Sequence, residues 1–241
     1  MKKIRKAVIP AAGFGTRFLP ATKSLPKGML TIVDKPALHY IVEEIVLSGI
    51  TEVLIITNEN NTSIVDYFSK NFKLNSFLEN KNQKVYLQML EDINSMANIT
   101  YLIQDEPKGL GHAVLCAKEF VGEEPFAVLN GDDVVYNEKV PCLKQLVDEY
   151  YKCGKSVIGC QLVEHKNIVK YGAVKYKNKN GRLYEIEDLV EKPNLDSAPS
   201  DLAALGRYVL TEEIFDYLQT QKPGANNEIQ LTDAMCRMAK E

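Results

Sequence analysis

Short apolar runs alternate with segments of helical periodicity through the first half of this chain. Four runs, at 4–9, 52–57, 99–103 and 126–129, have the length of buried strands. Between them, the apolar positions of segment 36–49 recur every three or four residues and the segment ends at a glycine. Strands that alternate with helices predict right-handed βαβ crossovers and a mainly parallel sheet.

Further helices are predicted at 63–69, 75–97 (with a lysine-rich interruption) and 110–120. After residue 150 the pattern predicts strands at 156–163 and 203–210, a hairpin of 172–176 with 182–187 through the turn Asn180-Gly181, and helices at 212–219 and 228–239. The sequence therefore predicts a single α/β domain over 1–241. Its Rossmann-like, mostly parallel sheet would be flanked by helices and carry an antiparallel hairpin insertion in the second half.

Composition and charge narrow the function classes. Hydrophobic residues make up 45% and charged residues 25% of the 241 residues, as in ordinary globular domains. The formal net charge of −3 argues against nucleic acid as a partner, since phosphate-backbone binders usually carry a net basic face. Five cysteines without a C-x-x-C pair predict reduced thiols, and no apolar stretch has the length of a signal-peptide core or a membrane span. These features predict a cytoplasmic protein with no membrane partner.

The long polar segment 10–35 follows the first predicted strand. Loops of this length are usually functional, and ligands of open α/β sheets bind where loops leave the carboxyl ends of strands. Gly13 and Gly15 let the backbone approach a ligand, and Arg17 supplies a planar cation for phosphate. The third glycine of a Rossmann fingerprint is missing, so the segment is either a tight turn or an anion-binding loop. Lys27 is either a phosphate contact or a solvated surface lysine.

Two carboxylates follow the fourth predicted strand, in Gly131-Asp132-Asp133. Mg²⁺ prefers oxygen ligands and usually takes one or two protein carboxylates together with substrate phosphates. Asp132 is the better candidate ligand because it leaves the strand first, and Asp133 is expected to cap a turn or stay solvated. The alternative is that Asp132 itself is only a capping residue.

Two later segments also carry candidate site residues. Glu191-Lys192 follows a predicted strand and places a hydroxyl acceptor beside a cation; the alternative is an exposed ion pair of little energetic value. Glu228 lies at the predicted start of the last helix, where it would either contact a ligand or complement the helix dipole.

The three histidines form neither a catalytic triad nor a metal-ligand spacing. His39 and His165 are expected to be structural, and His112 follows a glycine turn, where it would either contact a ligand or open a helix. Cationic side chains and Mg²⁺ without a catalytic histidine fit phosphoryl or nucleotidyl transfer driven by positioning and charge neutralisation.

Motifs that occur in order along nearly the whole chain are Ala11-Ala12-Gly13-Phe14-Gly15-Thr16-Arg17 with Pro26-Lys27, Gln104 with Gly109-Leu110-Gly111-His112, Gly131-Asp132-Asp133, Tyr171-Gly172, Glu191-Lys192-Pro193, Leu205-Gly206-Arg207-Tyr208 and Glu228 to Asp233. Together they resemble the sugar-1-phosphate nucleotidyltransferases, and among these the bacterial members that use UTP and glucose 1-phosphate. The chain departs from the family pattern at Gly28, where Glu is usual, and at Thr31, where Pro is usual.

The resemblance implies a role for each matched residue. In a mainly nucleotide-binding half, 1–150, the nucleotide contacts would be Ala11, Ala12, Gly13, Gly15, Thr16, Gln104 and Gly111. In a mainly sugar-binding half, 151–241, the sugar contacts would be Gly172, Glu191 and Glu228. The catalytic residues would be Arg17 and Lys27 on the triphosphate, Asp132 on the metal and Lys192 on the sugar phosphate. The metal carboxylates would be Asp132 and Asp233.

The reaction implied by the resemblance is Mg²⁺-dependent uridylyl transfer from UTP to glucose 1-phosphate, which gives UDP-glucose and pyrophosphate. A thymidylyltransferase acting on a sugar 1-phosphate and a non-catalytic sugar-nucleotide sensor are the alternatives. Members of the family continue past the last helix with a further strand and helix. Because this sequence ends soon after Asp233, we expect an uncovered surface and hence a homo-oligomer.

Overall fold

Over residues 2–59, 61–224 and 227–240, which the computed structural model describes, eight strands form one central sheet and two more form a separate ribbon. In chain order the strands are β1 (Lys6–Pro10), β2 (Thr31–Ile32), β3 (Lys35–Pro36), β4 (Glu52–Thr57), β5 (Asn98–Ile103), β6 (Phe126–Leu129), β7 (Val157–Leu162), β8 (Gly172–Asn180), β9 (Leu183–Glu191) and β10 (Leu202–Leu210). The ribbon is β2 paired with β3.

The α-helices are α1 (Ala37–Leu47), α2 (Thr62–Phe68), α3 (Phe72–Asn80), α4 (Lys84–Asn94), α5 (Leu110–Cys116), α6 (Lys118–Val121), α7 (Cys142–Cys153), α8 (Ile214–Gln219) and α9 (Leu231–Lys240). The predicted helix 75–97 is two helices, as its interruption suggested, and the chain turns between them at Asn82, whose φ is 52°. The predicted helix 110–120 is likewise divided into α5 and α6.

Strands β5, β4, β1 and β6 lie side by side in that order and run parallel. In the middle of this half, Val8 pairs with Leu54 on one side and Val128 on the other. β6 is buried along its whole length, and β4 everywhere but its first residue, because helices cover both faces of the sheet. The predicted parallel sheet flanked by helices is confirmed.

Alternate residues of the central strands enter two different cores. Val8 packs in one apolar cluster with α5, α8 and α9, whereas its neighbours Ala7 and Ile9 pack in the other with α1, α2 and α7. In the first cluster the rings of Phe126 and Phe215 stack with centroids 5.2 Å apart. The sheet is therefore the middle layer of three, and its upper and lower cores are separate.

Strand β10 joins the parallel half to an antiparallel half. Its C-terminal part pairs with β6, as at Arg207 with Leu129, and its other edge pairs with β7. Near its start, Ala203 pairs with Ala173 of β8, which forms the predicted hairpin with β9. The hairpin insertion is confirmed, but it is longer than predicted and its two-residue turn is Gly181-Arg182, since Asn180 still pairs with Leu183.

Two helices differ from the expectation. No element is predicted above for 134–155, yet α7 occupies most of it and buries the helically spaced Leu143, Leu146, Val147 and Tyr150. The last helix starts at Leu231 rather than at 228, because the backbone of Ile229 is engaged elsewhere: its N–H donates to Lys108 O and its carbonyl accepts from Gly111 N–H. No helix in the described part of the chain is long and apolar enough to cross a membrane. All five cysteines are free thiols.

Candidate active site

The loop between β1 and α1 is folded back on itself rather than extended. Three short 3-10 turns succeed one another in it, at Thr16–Phe18, Ala21–Lys23 and Lys27–Met29. At the start of the first turn Gly15 has φ 62°, and its carbonyl accepts a hydrogen bond of 2.8 Å from the Thr22 hydroxyl. A Cβ on Gly15 would lie 3.1 Å from Thr22 Cγ2 and 3.2 Å from Lys27 Cβ, so glycine permits this close return. The fold-back places Lys27 beneath the glycine turn, and Arg17 is exposed on the first 3-10 turn.

Lys27 is held between an aromatic ring and a carboxylate. Its Nζ forms an ion pair with Asp132 Oδ2, at the end of β6. The same Nζ lies 4.7 Å from the centroid of the Phe18 ring, in cation–π geometry. Next to it, a Cβ on Gly28 would lie 2.6 Å from the carbonyl oxygen of Gly131. Gly28, one of the two residues that depart from the family pattern, thus lets its loop pack against the backbone of the loop after β6.

The two carboxylates after β6 have different surroundings. The Asp132 side chain is 40% exposed and faces Lys27. The Asp133 carboxylate instead accepts a hydrogen bond of 3.1 Å from the Gly206 N–H of β10. The Gly206 carbonyl in turn accepts from Asn130 N–H at 2.9 Å. The Asp133 side chain therefore holds the turn against β10, and Asp132 is the carboxylate that faces the candidate site. The sequence predicted a capping or solvated Asp133 and did not predict this contact with β10.

A buried ion pair supports this turn from below. Arg207 is completely buried, and its Nε donates to Glu44 Oε2 of α1 at 2.9 Å. Its Nη2 donates to the carbonyl of Asp133 at 2.6 Å, and Glu44 Oε1 accepts from Leu143 N–H at 2.9 Å. α1, α7 and β10 are thereby tied to the loop that carries Asp132.

Neither Glu44 nor Arg207 was singled out as a functional candidate. The available signal was one acidic residue on the apolar face of a predicted helix and one basic residue inside an apolar predicted strand, each of which needs a buried partner.

The predicted base contacts gather at the carboxyl ends of β1, β4 and β5. Ala11 N–H donates to Ile56 O at 2.7 Å, and the Ala12 carbonyl accepts from Asn58 Nδ2 at 3.0 Å. Gln104 N–H donates to Thr57 O at 2.8 Å, and its side chain is buried. These hydrogen bonds fix the backbone of three neighbouring loops at one edge of the sheet.

Gly111, the last predicted base contact, lies against the segment before α9. Its N–H donates to Ile229 O at 2.8 Å, and a Cβ there would lie 2.7 Å from that oxygen. No other residue type fits without moving the backbone of Ile229.

The predicted sugar contacts form a second group. Glu191 Oε1 lies 3.1 Å from Lys192 Nζ, and a Cβ on Gly172 would lie 3.4 Å from Glu191 Oε2. Lys192 has φ 43°, and its N–H donates to Tyr171 O at 3.0 Å. This strained backbone turns the Lys192 side chain out of the regular alternation of β9.

The segment before α9 and the start of that helix lie against glycines of both groups: a Cβ on Gly109 would lie 2.8 Å from Glu228 Cβ, and a Cβ on Gly172 would lie 3.3 Å from Thr232 Cγ2. Glu228 Oε2 accepts a hydrogen bond of 3.1 Å from Gln230 Nε2, and Glu228 precedes the helix instead of opening it. Burial, followed by the negative charge of Glu191, raises the pKa of the Asp233 carboxyl. The charge of Glu191 thus acts on the Asp233 carboxyl, whereas the Asp132 carboxylate is paired with Lys27.

The family model described as nucleotidyl transferase matches residues 6–241. The chain belongs to the nucleotidyl transferase family.

Curated members of this family are similar over nearly the whole chain. The sequence is 53% identical to the UTP–glucose-1-phosphate uridylyltransferase of Staphylococcus epidermidis, over 99% of this chain and 82% of the relative. It is 52% identical to a UTP–glucose-1-phosphate uridylyltransferase of Bacillus subtilis, over 100% of this chain and 80% of the relative.

Solved structures of the family share the fold. A UDP-glucose pyrophosphorylase complexed with UDP-glucose superposes with a TM-score of 0.90 at 42% identity, over 98% of this chain and 87% of that chain. A UTP-bound UGPase from Acinetobacter baumannii also gives 0.90, at 39% identity over 98% of this chain and 82% of that chain. The mixed sheet and the hairpin insertion are those of the pyrophosphorylases.

Membership of the family indicates a divalent metal requirement. Over the described ranges, 2–59, 61–224 and 227–240, no three His, Cys, Asp or Glu side chains come together as a ready metal cage. The partly exposed carboxylate of Asp132 supplies a hard oxygen ligand, which suits an ion that takes most of its other ligands from substrate phosphates and water. The residues present therefore fit a metal that is held jointly by protein and substrate.

Proposed function

We propose that this protein transfers the uridylyl group of UTP to glucose 1-phosphate and releases pyrophosphate. The observation that carries the proposal is the 53% identity to the Staphylococcus epidermidis UTP–glucose-1-phosphate uridylyltransferase over 99% of this chain. The partners of the reaction are then UTP, glucose 1-phosphate, UDP-glucose and pyrophosphate. A cytoplasmic location and a homo-oligomeric assembly stay predictions from the sequence.

On this proposal the glycine loop receives the triphosphate. The backbone of Gly13, Gly15 and Thr16 approaches the phosphates, while Arg17 and Lys27 neutralise their charge. The position of Lys27 above Phe18 and beside Asp132 supports this role, because its cation is held at the loop junction before substrate arrives. Binding of the triphosphate would move Lys27 from the carboxylate to a phosphate oxygen.

Asp132 is proposed to hold Mg²⁺, with Asp233 as a second carboxylate on the sugar side. When bound, the ion neutralises phosphate charge and polarises the phosphorus–oxygen bonds. The protein's share is to keep the Asp132 carboxylate facing the substrate, and the clamp between Asp133 and Gly206 supports that orientation.

The uracil is proposed to bind against the backbone of Ala11 and Ala12, with Gln104 at its edge and Gly111 beneath it. The hydrogen bonds that fix Ala11, Ala12 and Gln104 to neighbouring strands support a preformed base pocket. A pocket of fixed polar groups rejects bases that leave those groups unpaired.

Glucose 1-phosphate is proposed to bind in the second group. Gly172, Glu191 and Glu228 would meet the sugar hydroxyls, and Lys192 would neutralise the sugar phosphate. A phosphate oxygen of this substrate attacks the α-phosphorus of UTP, and pyrophosphate leaves. Because that oxygen is already anionic near neutral pH, the step needs alignment and charge neutralisation rather than a general base.

The proposal is tested by pyrophosphate release from a panel of nucleoside triphosphates and sugar 1-phosphates. We expect UTP with glucose 1-phosphate to be fastest, dTTP to be next, and ATP and GTP to be slower by orders of magnitude. Faster turnover with dTTP would favour the thymidylyltransferase. Binding of UTP and UDP-glucose by folded, Mg²⁺-loaded protein without any turnover would favour the sensor.

A further inference from the structure

The side-chain amide of Gln104 has a neighbour that fixes which way it points. Gln104 follows the end of β5, and its side chain is 6% exposed. Its Nε2 lies 2.8 Å from Nδ1 of His112, on the first turn of α5. A buried amide with one end engaged cannot rotate freely, because rotation would break this hydrogen bond without water to replace it.

The surroundings of His112 make Nδ1 an acceptor. Burial, followed by the positive charge of Lys108 and opposed by Glu106, lowers the pKa of His112, so the ring is neutral at pH 7. A second donor also faces Nδ1: the thiol of Cys116, one turn further along α5, lies 3.9 Å away. A neutral ring whose Nδ1 faces an amide N–H and a thiol carries its proton on Nε2.

We propose that His112 is a specificity-determining residue: it orients the side-chain amide of Gln104 so that the site accepts uracil and thymine and rejects cytosine. With Nε2 donating to His112, the Oε1 atom of Gln104 remains as an acceptor. Uracil and thymine carry an N–H donor at N3, which this oxygen matches. Cytosine carries a lone pair at N3, which would meet the oxygen lone pairs. The inference rests on the proposed function, in which Gln104 lies at the edge of the base.

The orientation of the Gln104 amide is coupled to the tautomer of His112. If Gln104 turned its nitrogen to a cytosine, its oxygen would face Nδ1, so that His112 would have to move its proton from Nε2 to Nδ1 or leave two acceptors opposed in a buried site. The preferred tautomer of His112 thus penalises the wrong base without contacting it, which is an effect that loss of packing alone would not produce.

The first experiment measures the affinities of UTP and CTP for the folded protein by calorimetry, with His112→Phe as the variant. Phenylalanine retains a ring and removes the acceptor. We expect the ratio of UTP to CTP affinity to fall at least ~10-fold in H112F. His165→Phe, the same substitution at an exposed histidine paired with Asp201, is the matched control and is expected to keep the wild-type ratio. Equal losses for both nucleotides, or an unchanged ratio in H112F, would overturn the inference.

A second measurement uses the unmodified protein, in case H112F does not fold. The nitrogen-15 chemical shifts of His112 are expected to report a protonated Nε2 and an unprotonated Nδ1; the opposite tautomer would overturn the inference.

Failure of the proposed function can be distinguished from failure of this inference. If the wild-type protein binds UTP in preference to CTP, H112F loses this preference and no pyrophosphate is released, then the proposed enzyme activity is refuted and the role of His112 is supported. If the protein turns over UTP but H112F leaves the ratio of UTP to CTP affinity unchanged, then the activity is supported and the role of His112 is refuted.

Discussion

At the scale of single residues, the two adjacent carboxylates after β6 show how identical side chains acquire different tasks. The Asp133 carboxylate accepts a hydrogen bond from a backbone N–H of β10, whereas the Asp132 carboxylate stays partly exposed and is paired with Lys27. The sequence favours Asp132 as the metal ligand because it is the first carboxylate after the strand. The reason found in the structure is instead the hydrogen bond that occupies Asp133.

Replacing each aspartate by asparagine separates the two tasks. Asp132→Asn removes the charge, so we expect Mg²⁺-supported turnover to fall at least ~10²-fold, the scale of one lost electrostatic contact in a transition state. Asp133→Asn still offers an oxygen to Gly206 N–H, and its turnover is expected to change little. Steady-state pyrophosphate release measures both. Equal losses in the two variants would refute the assignment.

Lys192 is predicted to serve the sugar phosphate rather than the triphosphate. We expect Lys192→Ala to weaken the binding of glucose 1-phosphate more than that of UTP, because its cation stands beside Glu191 in the second group of site residues. Titration calorimetry with each substrate measures the difference. Lys152→Ala, which removes an exposed cation on α7, is the control. A larger loss of UTP affinity would move Lys192 to the triphosphate.

At the scale of secondary-structure elements, the sequence predicted most accurately the strands that are buried on both faces of the sheet. β4 and β6 begin and end where their apolar runs do, because helices cover both sides. The outer part of the β8–β9 hairpin was underestimated, since the exposed residues from 175 to 180 carry no apolar alternation. The start of α9 was misplaced because residues far along the chain, at Lys108 and Gly111, hold Ile229 outside the helix. Such long-range contacts leave no local signal.

The candidate site follows the same division. Chemistry and spacing predict the loop residues of the candidate site, such as Arg17 and Asp132, and these roles stay predictions. Their supports could not be predicted, because the partnership of Glu44 with Arg207 joins elements far apart in the chain and depends on the packing of α1 against β10.

This buried pair is predicted to stabilise three elements at once. Arg207→Met leaves the Glu44 carboxylate buried with Leu143 N–H as its remaining hydrogen-bond donor, which should cost about 3–5 kcal/mol of unfolding free energy. Urea unfolding at pH 7 measures it. The matched control is Glu43→Gln on the same helix, whose exposed ion pair with Lys35 contributes about 0–1 kcal/mol. If the free energy of unfolding falls by the same small amount in both variants, the Glu44–Arg207 pair does not hold the three elements together.

At the scale of the whole molecule, the stability of the protein and its metal requirement are separable. The two apolar cores lie on opposite faces of the sheet, and the candidate metal carboxylate Asp132 lies at its edge, where Lys27 neutralises it. Apolar burial in these two cores stabilises the fold.

Removal of divalent cations is expected to abolish turnover and leave the fold intact. After treatment with EDTA, the thermal unfolding midpoint and the far-UV circular dichroism should match those of the untreated protein, because an ion held mainly by substrate adds no stability without substrate. Added Mg²⁺ should restore pyrophosphate release. A large drop of the midpoint in EDTA would instead reveal a structural metal.

The central position of β10 has a consequence for how the chain is made. The strand lies between β6 and β7 in the sheet, yet it follows both of them in the chain, after the whole hairpin. During synthesis, the edge of β6 stays open until β10 has left the ribosome, and an open strand edge is a template for pairing with other chains. The rate-limiting event of folding is then expected to be the docking of β10, a contact distant in sequence, so that a nascent chain cut short before it exposes an aggregation-prone edge.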